Sequence, residues 1–114
     1  MKLTSRDEQG VAVVEVQGEF DGTHSPKFQA LLDRLLDEGQ RRIVVNLQGV
    51  EFIDSSGLAT LVGGFKRVHR GAAKMCFASL QPAVRRIFEL TRLERAVEIQ
   101  PDVAHAIQFL MTSQ

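Results

Sequence analysis

Several resources are scarce in this chain, and each shortage excludes something. A single cysteine, Cys76, stands among 114 residues, so no internal disulfide can form. Neither sign of charge is in excess: Lys plus Arg and Asp plus Glu number 14 each. That balance argues against a nucleic acid or an anionic membrane as the partner. No run approaches the about 18 apolar residues needed to cross a bilayer, and no N-terminal stretch reads as charged-then-apolar with a cleavage site. Repeats and low-complexity tracts are lacking too. A soluble cytoplasmic protein is expected, with no direct membrane insertion. The length suits one domain over residues 1–114, with a core that needs neither disulfide nor metal.

Other shortages concern chemistry. His24, His69 and His105 lie far apart in the chain, and none completes a zinc-like spacing, so no metal is expected. They read as surface or helix-end residues, and His69 beside Arg70 suits the negative end of a helix dipole. Cys76 reads as a small apolar side chain within a strand. Gly57, Gly63 and Gly64 form neither G-x-G-x-x-G nor a P-loop, because no Lys-Ser/Thr follows in register. No cofactor is expected. Glu19 with Asp21, and Glu51 with Asp54, sit at loop and strand ends, where carboxylates cap or solvate rather than form acid–base pairs. The segment Ile53 to Gly57 lacks the first glycine of G-x-S-x-G, and no downstream histidine is placed to act as base. The chain does not read as an enzyme.

What the chain does have is an alternation of strand and helix patterns. Lys2 to Glu8 is a polar edge strand, and Gln9-Gly10 a turn. Val11 to Gln17 is a β-branched strand with one wet face toward its end. After a loop from Gly18 to His24, Ser25 is expected to cap a helix with Pro26 at its first position. The stripe Phe28, Leu31, Leu32, Leu35, Leu36 continues to Gly39. Ile43 to Leu47 is a short buried strand. A second helix, ended by Gly71, aligns Leu58, Leu61, Val62, Phe65 and Val68, with Ala59, Gly63 and Gly64 permitting close approach of a neighbour. Ala73 to Ala78 predicts a strand, and Pro82 to Leu90 a helix with Val84, Ile87 and Phe88 inward. Ala96 to Ile99 predicts a last strand. Pro101-Asp102 then opens a terminal helix carrying Val103, Ile107, Leu110 and Met111 on one side. The order β-β-α-β-α-β-α-β-α implies a mixed, mostly parallel sheet of about five strands flanked by about four helices, in one α/β domain.

The most informative stretch is Arg42 to Val62, RIVVNLQGVEFIDSSGLATLV. An apolar run ends in Asp54-Ser55-Ser56-Gly57 and a helix pattern begins at once. Small hydroxyls are thereby placed where a helix start leaves backbone N–H groups unpaired, a location that suits a cap and tolerates added negative charge. One reading is that Asp54, Ser55 or Ser56 only caps the helix, contributing about 1 kcal/mol. The other is that Ser55 carries the function.

The tract VEFIDSSGLATL, with the element order from Val11 to about Val103, resembles the STAS family, the sulfate transporter and anti-sigma factor antagonist domain. Within it the chain looks like bacterial anti-sigma factor antagonists, also called anti-anti-sigma factors. Their Asp-Ser-Ser/Thr-Gly-Leu tract is matched by Asp54, Ser55, Ser56, Gly57 and Leu58. Gly18-Glu19-Phe20-Asp21 and Pro82 to Phe88 are also similar. Ala59 stands where a further glycine is frequent, and Gly22-Thr23-His24 has no close counterpart.

The resemblance implies phosphorylation at Ser55. It also implies a partner-facing surface of Asp21, Gly22, Thr23, His24, Asp54, Ser56, Gly57 and Leu58. The expected partners are an anti-sigma factor with a histidine-kinase-like serine kinase fold and a PP2C-type phosphatase. The unphosphorylated antagonist binds the anti-sigma factor and frees a sigma factor, so the output is regulation of transcription through partner switching. The alternative implied by the same family is a STAS subunit of a membrane transport complex, of lipid ABC transporter or anion transporter type, with no phosphoswitch.

Overall fold

The computed structural model describes residues 1–112. Five strands form one sheet in the order β1-β2-β3-β4-β5. They are β1 (Lys2–Glu8), β2 (Val11–Gln17), β3 (Arg42–Gly49), β4 (Lys74–Ala78) and β5 (Ile99–Gln100). β1 and β2 form an antiparallel hairpin, and the other neighbours are parallel. Four helices connect and follow them: α1 (Ser25–Asp37), α2 (Ser55–Arg70), α3 (Pro82–Leu90) and α4 (Val103–Thr112). The expected order and the mixed, mostly parallel sheet are both observed.

The two-residue period of the strands divides the core in two. Ala12, Val14, Val16, Ile43, Val45, Leu47, Met75 and Phe77 point to the face covered by α1, α2 and α3. Val11, Val13, Val44, Cys76 and Ala78 point to the opposite face, where Ala106, Ile107 and Leu110 of α4 cover them. β2 is apolar on both faces for this reason, and its wet positions begin only at Glu15. Burial among these side chains pushes the Cys76 thiol up to about 12, so it acts as the small apolar group expected. Among the described residues no helix is long and apolar enough to cross a membrane.

Three expectations need correction. Ser25 does not cap α1; a short 3₁₀ turn, Gly22–His24, runs straight into the helix, and His24 occupies the cap position without a side-chain bond. The last strand is Ile99–Gln100 rather than Ala96 to Ile99, because the amides of Ala96 and Val97 still donate to the Leu93 carbonyl, closing a 3₁₀ turn over Leu93–Arg95. Met111 is 44% exposed, since about 100° per residue rotates it off the stripe of Ala106, Ile107 and Leu110. His69 stands in the last turn of α2 with Arg67 and Arg70, as expected of a helix-end residue. Its ring stacks on Phe65 at 4.2 Å and its Nε2 lies 3.4 Å from the Met75 amide N–H. Burial is the main cause that holds its pKa below the ordinary value.

Close approach of α1 and α2 depends on Gly64. A methyl group there would fall 2.8 Å from both Leu32 Cδ1 and Phe28 Cε2, side chains buried with no room to retreat. Gly64→Ala is therefore expected to destabilise by about 1–3 kcal/mol, the usual cost of overpacking. Urea denaturation checks this, and an unchanged midpoint would show that the helices can separate freely. An NMR titration of His69 should give a midpoint below about 6.5. Because its folded pKa is depressed, the neutral ring's contribution is complete above about 6.5 and is lost as pH falls through the folded value.

Candidate functional site

At the C-terminal end of the parallel strands, β3 runs into α2 through Val50 to Asp54. The buried Val50 and Ile53 anchor this connection. Ile53 also forms a parallel bridge with Phe20, which follows β2. The bridge brings two sequence-distant loops side by side, as befits a parallel sheet whose loops gather at one edge. Phe20 is fully buried and meets Phe28 of α1 edge to face at 5.4 Å.

Gly57 makes this arrangement possible. A methyl group on it would lie 2.1 Å from the Phe20 carbonyl oxygen and 2.9 Å from Ile53 Cγ1. The first turn of α2 thus rests directly on the Phe20 backbone. Of the possible caps, the structure selects Asp54: its Oδ1 accepts from the Gly57 amide at 2.7 Å, and its carbonyl accepts from Leu58 at 2.9 Å. Ser55 and Ser56 are both exposed at the start of the helix. Neither hydroxyl is needed as the cap.

The neighbouring loop is built by Asp21. Its Oδ1 accepts from the Thr23 amide at 3.0 Å and the Thr23 hydroxyl at 2.6 Å, and lies 2.8 Å from His24 Nδ1. The Thr23 hydroxyl is the main cause that holds the Asp21 carboxyl below its usual range, with His24 adding to it. Gly22 then lies against α2, where a methyl group would come within 2.9 Å of Ser56 Cβ. Asp21, Gly22, Thr23, His24, Asp54, Ser55 and Ser56 are accordingly brought together. Gly57 and Leu58 are placed beneath the surface instead, both buried, Gly57 under the Phe20 carbonyl and Leu58 in the core.

One prominent residue escaped the sequence reading. Phe52 is 65% exposed and shares a shallow hollow with Glu19, Phe20, Asp21, Ile53 and Asp54. Its signal was an aromatic residue that belongs to no apolar stripe. Four carboxylates, from Glu19, Asp21, Glu51 and Asp54, border this pole. Among the described residues no group of three or more His, Cys, Asp and Glu is placed to hold a metal.

The fold and site together define a small α/β module whose most elaborated surface is a capped helix start beside a capped turn. The model of the STAS domain family matches residues 2–106, and the chain belongs to that family. It is 25% identical over 108 residues to the anti-sigma F factor antagonist of Paenibacillus polymyxa, covering 94% of this chain and 92% of that one. It is 30% identical over 86 residues to the anti-sigma-B factor antagonist of Staphylococcus aureus, covering 75% and 80%. The crystal structure of an anti-sigma factor antagonist from Mycobacterium paratuberculosis matches with a TM-score of 0.85 at 25% identity, over 96% of this chain and 93% of that one.

The geometry separates the two polar residues at the helix start. Asp54→Ala should cost about 1 kcal/mol through loss of the cap, whereas Ser55→Asp should leave stability nearly unchanged, a carboxylate at a helix N-terminus being favourable. Parallel urea denaturation curves check both, and a large loss for Ser55→Asp would mean that the hydroxyl sits in a confined contact.

Proposed function

We propose that this chain is an anti-sigma factor antagonist that works by partner switching, with Ser55 as its phosphorylation site. The observation that carries the reading is an exposed Ser55 at the first position of α2, with the cap already supplied by Asp54. The antagonist names of the relatives described above support the general role. In this reading the unphosphorylated chain binds a serine-kinase anti-sigma factor of histidine-kinase-like fold, and a sigma factor is released. The chain is a substrate and a switch, not a catalyst. It contacts its partner through Asp21 to His24, Asp54, Ser55 and Ser56, with Gly57 and Leu58 holding that surface in place.

The chemical step needs only the hydroxyl from this chain. Ser55 Oγ attacks the γ-phosphorus of ATP, the bond to the β-phosphate oxygen breaks, and ADP leaves. The hydroxyl proton passes to a base on the kinase. The new group adds about −1.5 to −2 charges and three acceptor oxygens. Helix N–H groups and the dipole tolerate such a charge, so the fold persists. Against a docked partner the result is different. A dianion beside the carboxylates of Asp54 and Asp21 is desolvated and repelled, and a loss of about 2.8 kcal/mol weakens binding about 100-fold. A PP2C-type phosphatase hydrolyses the phosphoester and restores the binding form.

The test is binding of the purified chain to the serine-kinase-type anti-sigma factors of its own organism, with and without ATP. Binding should be abolished by ATP with phosphate mapped to Ser55. Ser55→Ala should retain the partner in the presence of ATP, and Ser55→Asp should fail to capture it. Co-purification with a membrane ATPase, indifferent to charge at residue 55, would replace this reading by that of a transport-complex subunit.

A further inference from the structure

Along the second half of α2 lies a second feature, with chemistry opposite to the first. A groove of about 390 Å³ is lined by Val62, Phe65, Lys66, His69, Arg70 and Ala96. Its floor is apolar. The stacked rings of Phe65 and His69 form one wall, and Ala96 closes the other side, just after the Leu93–Arg95 turn. Lys66 and Arg70, one helical turn apart, are the cations of the rim, and neither has an ion-pair partner among the described residues. On the sheet side Glu98 and Lys74 act on His69 with opposite sign, and Glu94 faces Arg95, so the rim remains basic.

The Phe52 pole is its complement. There an aromatic side chain projects 65% exposed and is bordered by Glu19 and Glu51, which also form no ion pair among the described residues. One pole offers an apolar knob within acidic groups; the other offers an apolar hollow within basic groups. Along α2, Lys66 of the hollow lies about 16 Å beyond Ser55 at 1.5 Å per residue, which prevents a single copy from seating its own Phe52 there. We propose that this chain associates head to tail with a second copy of itself, Phe52 of one protomer seated over Val62, Phe65 and Ala96 of the next, with Glu19 and Glu51 against Lys66 and Arg70.

Such a contact is heterologous, so each protomer keeps one unused knob or hollow and the association can extend. One ring in an open groove with flanking ion pairs belongs among small, weak interfaces, below about 1,200 Å². Screening by salt should weaken it further. The contact also covers the pole that carries Asp54 and Ser55, so self-association and binding of any partner at that pole are mutually exclusive. Neither the contact nor its test depends on the partner-switching reading, because no kinase and no ATP are involved.

Sedimentation velocity of the purified chain from micromolar to millimolar concentration, in low and high salt, is the experiment. The average sedimentation coefficient should rise with concentration and fall back on adding salt. Phe52→Ala, which lacks the knob, and Lys66→Glu with Arg70→Glu, which lacks the basic rim, should each associate at least about tenfold more weakly, or 1.4 kcal/mol. Mixed in equal amounts, these two variants should form a dimer and nothing larger, because one intact knob meets one intact hollow. Thermal unfolding controls for folding, and Lys66→Gln with Arg70→Gln replaces the charge-reversed variant should that one unfold. A wild-type chain that stays monomeric throughout overturns the proposal. An oligomer indifferent to these substitutions, or variants that fail to associate when mixed, overturns it equally.

Discussion

The contact on which the rest of this structure depends is that between the Gly57 backbone and the Phe20 carbonyl. With a gap of 2.1 Å for the first carbon of any side chain, it is a place where only hydrogen fits. The contact holds α2 onto the loop after β2, and the Phe20–Ile53 bridge holds that loop onto the connection after β3. Phe20 fastens the assembly to α1 through Phe28. Three remote parts of the sequence are thereby fixed with little freedom. Ser55 inherits a defined position from the backbone beneath it, not from any bond of its own.

The same pole has an electrostatic side. Caps at this pole come from carboxylates, Asp54 for α2 and Asp21 for the turn before α1. The hydroxyl of Ser55 is thus left for other uses. A helix start stabilises negative charge, while a cluster of carboxylates repels it at longer range. The opposite end of α2 is basic and apolar, so one helix carries both poles of the molecule. A chain with zero formal net charge is in this way far from uniform on its surface.

The parts legible in the sequence were those governed by neighbours along the chain. β1, β2 and α3 have the bounds expected from periodicity and proline placement, and Gly64 allows the close approach foreseen for it. Val84 and Phe88 face inward as their spacing requires. The misreadings share a cause. Ala96 to Ile99 looked like a strand by composition, but hydrogen bonds back to Leu93 claim its first residues. Met111 is apolar and lies near the stripe, yet α4 covers only a narrow strip of sheet. Gly57 and Leu58 belonged to the motif, which does not reveal which of its members lie beneath the surface.

The sequence by itself determined the order of elements, the mixed sheet, the helix start at Asp54-Ser55 and the candidacy of Ser55, because capping and periodicity act over a few residues. Only the tertiary structure decided which residues stand beside Ser55, that Asp54 rather than a serine caps α2, and that Phe52 faces solvent before the start of α2 while a hollow opens along its second half. These outcomes depend on which strands pair and how closely helices approach, contacts between residues tens of positions apart that no local pattern encodes.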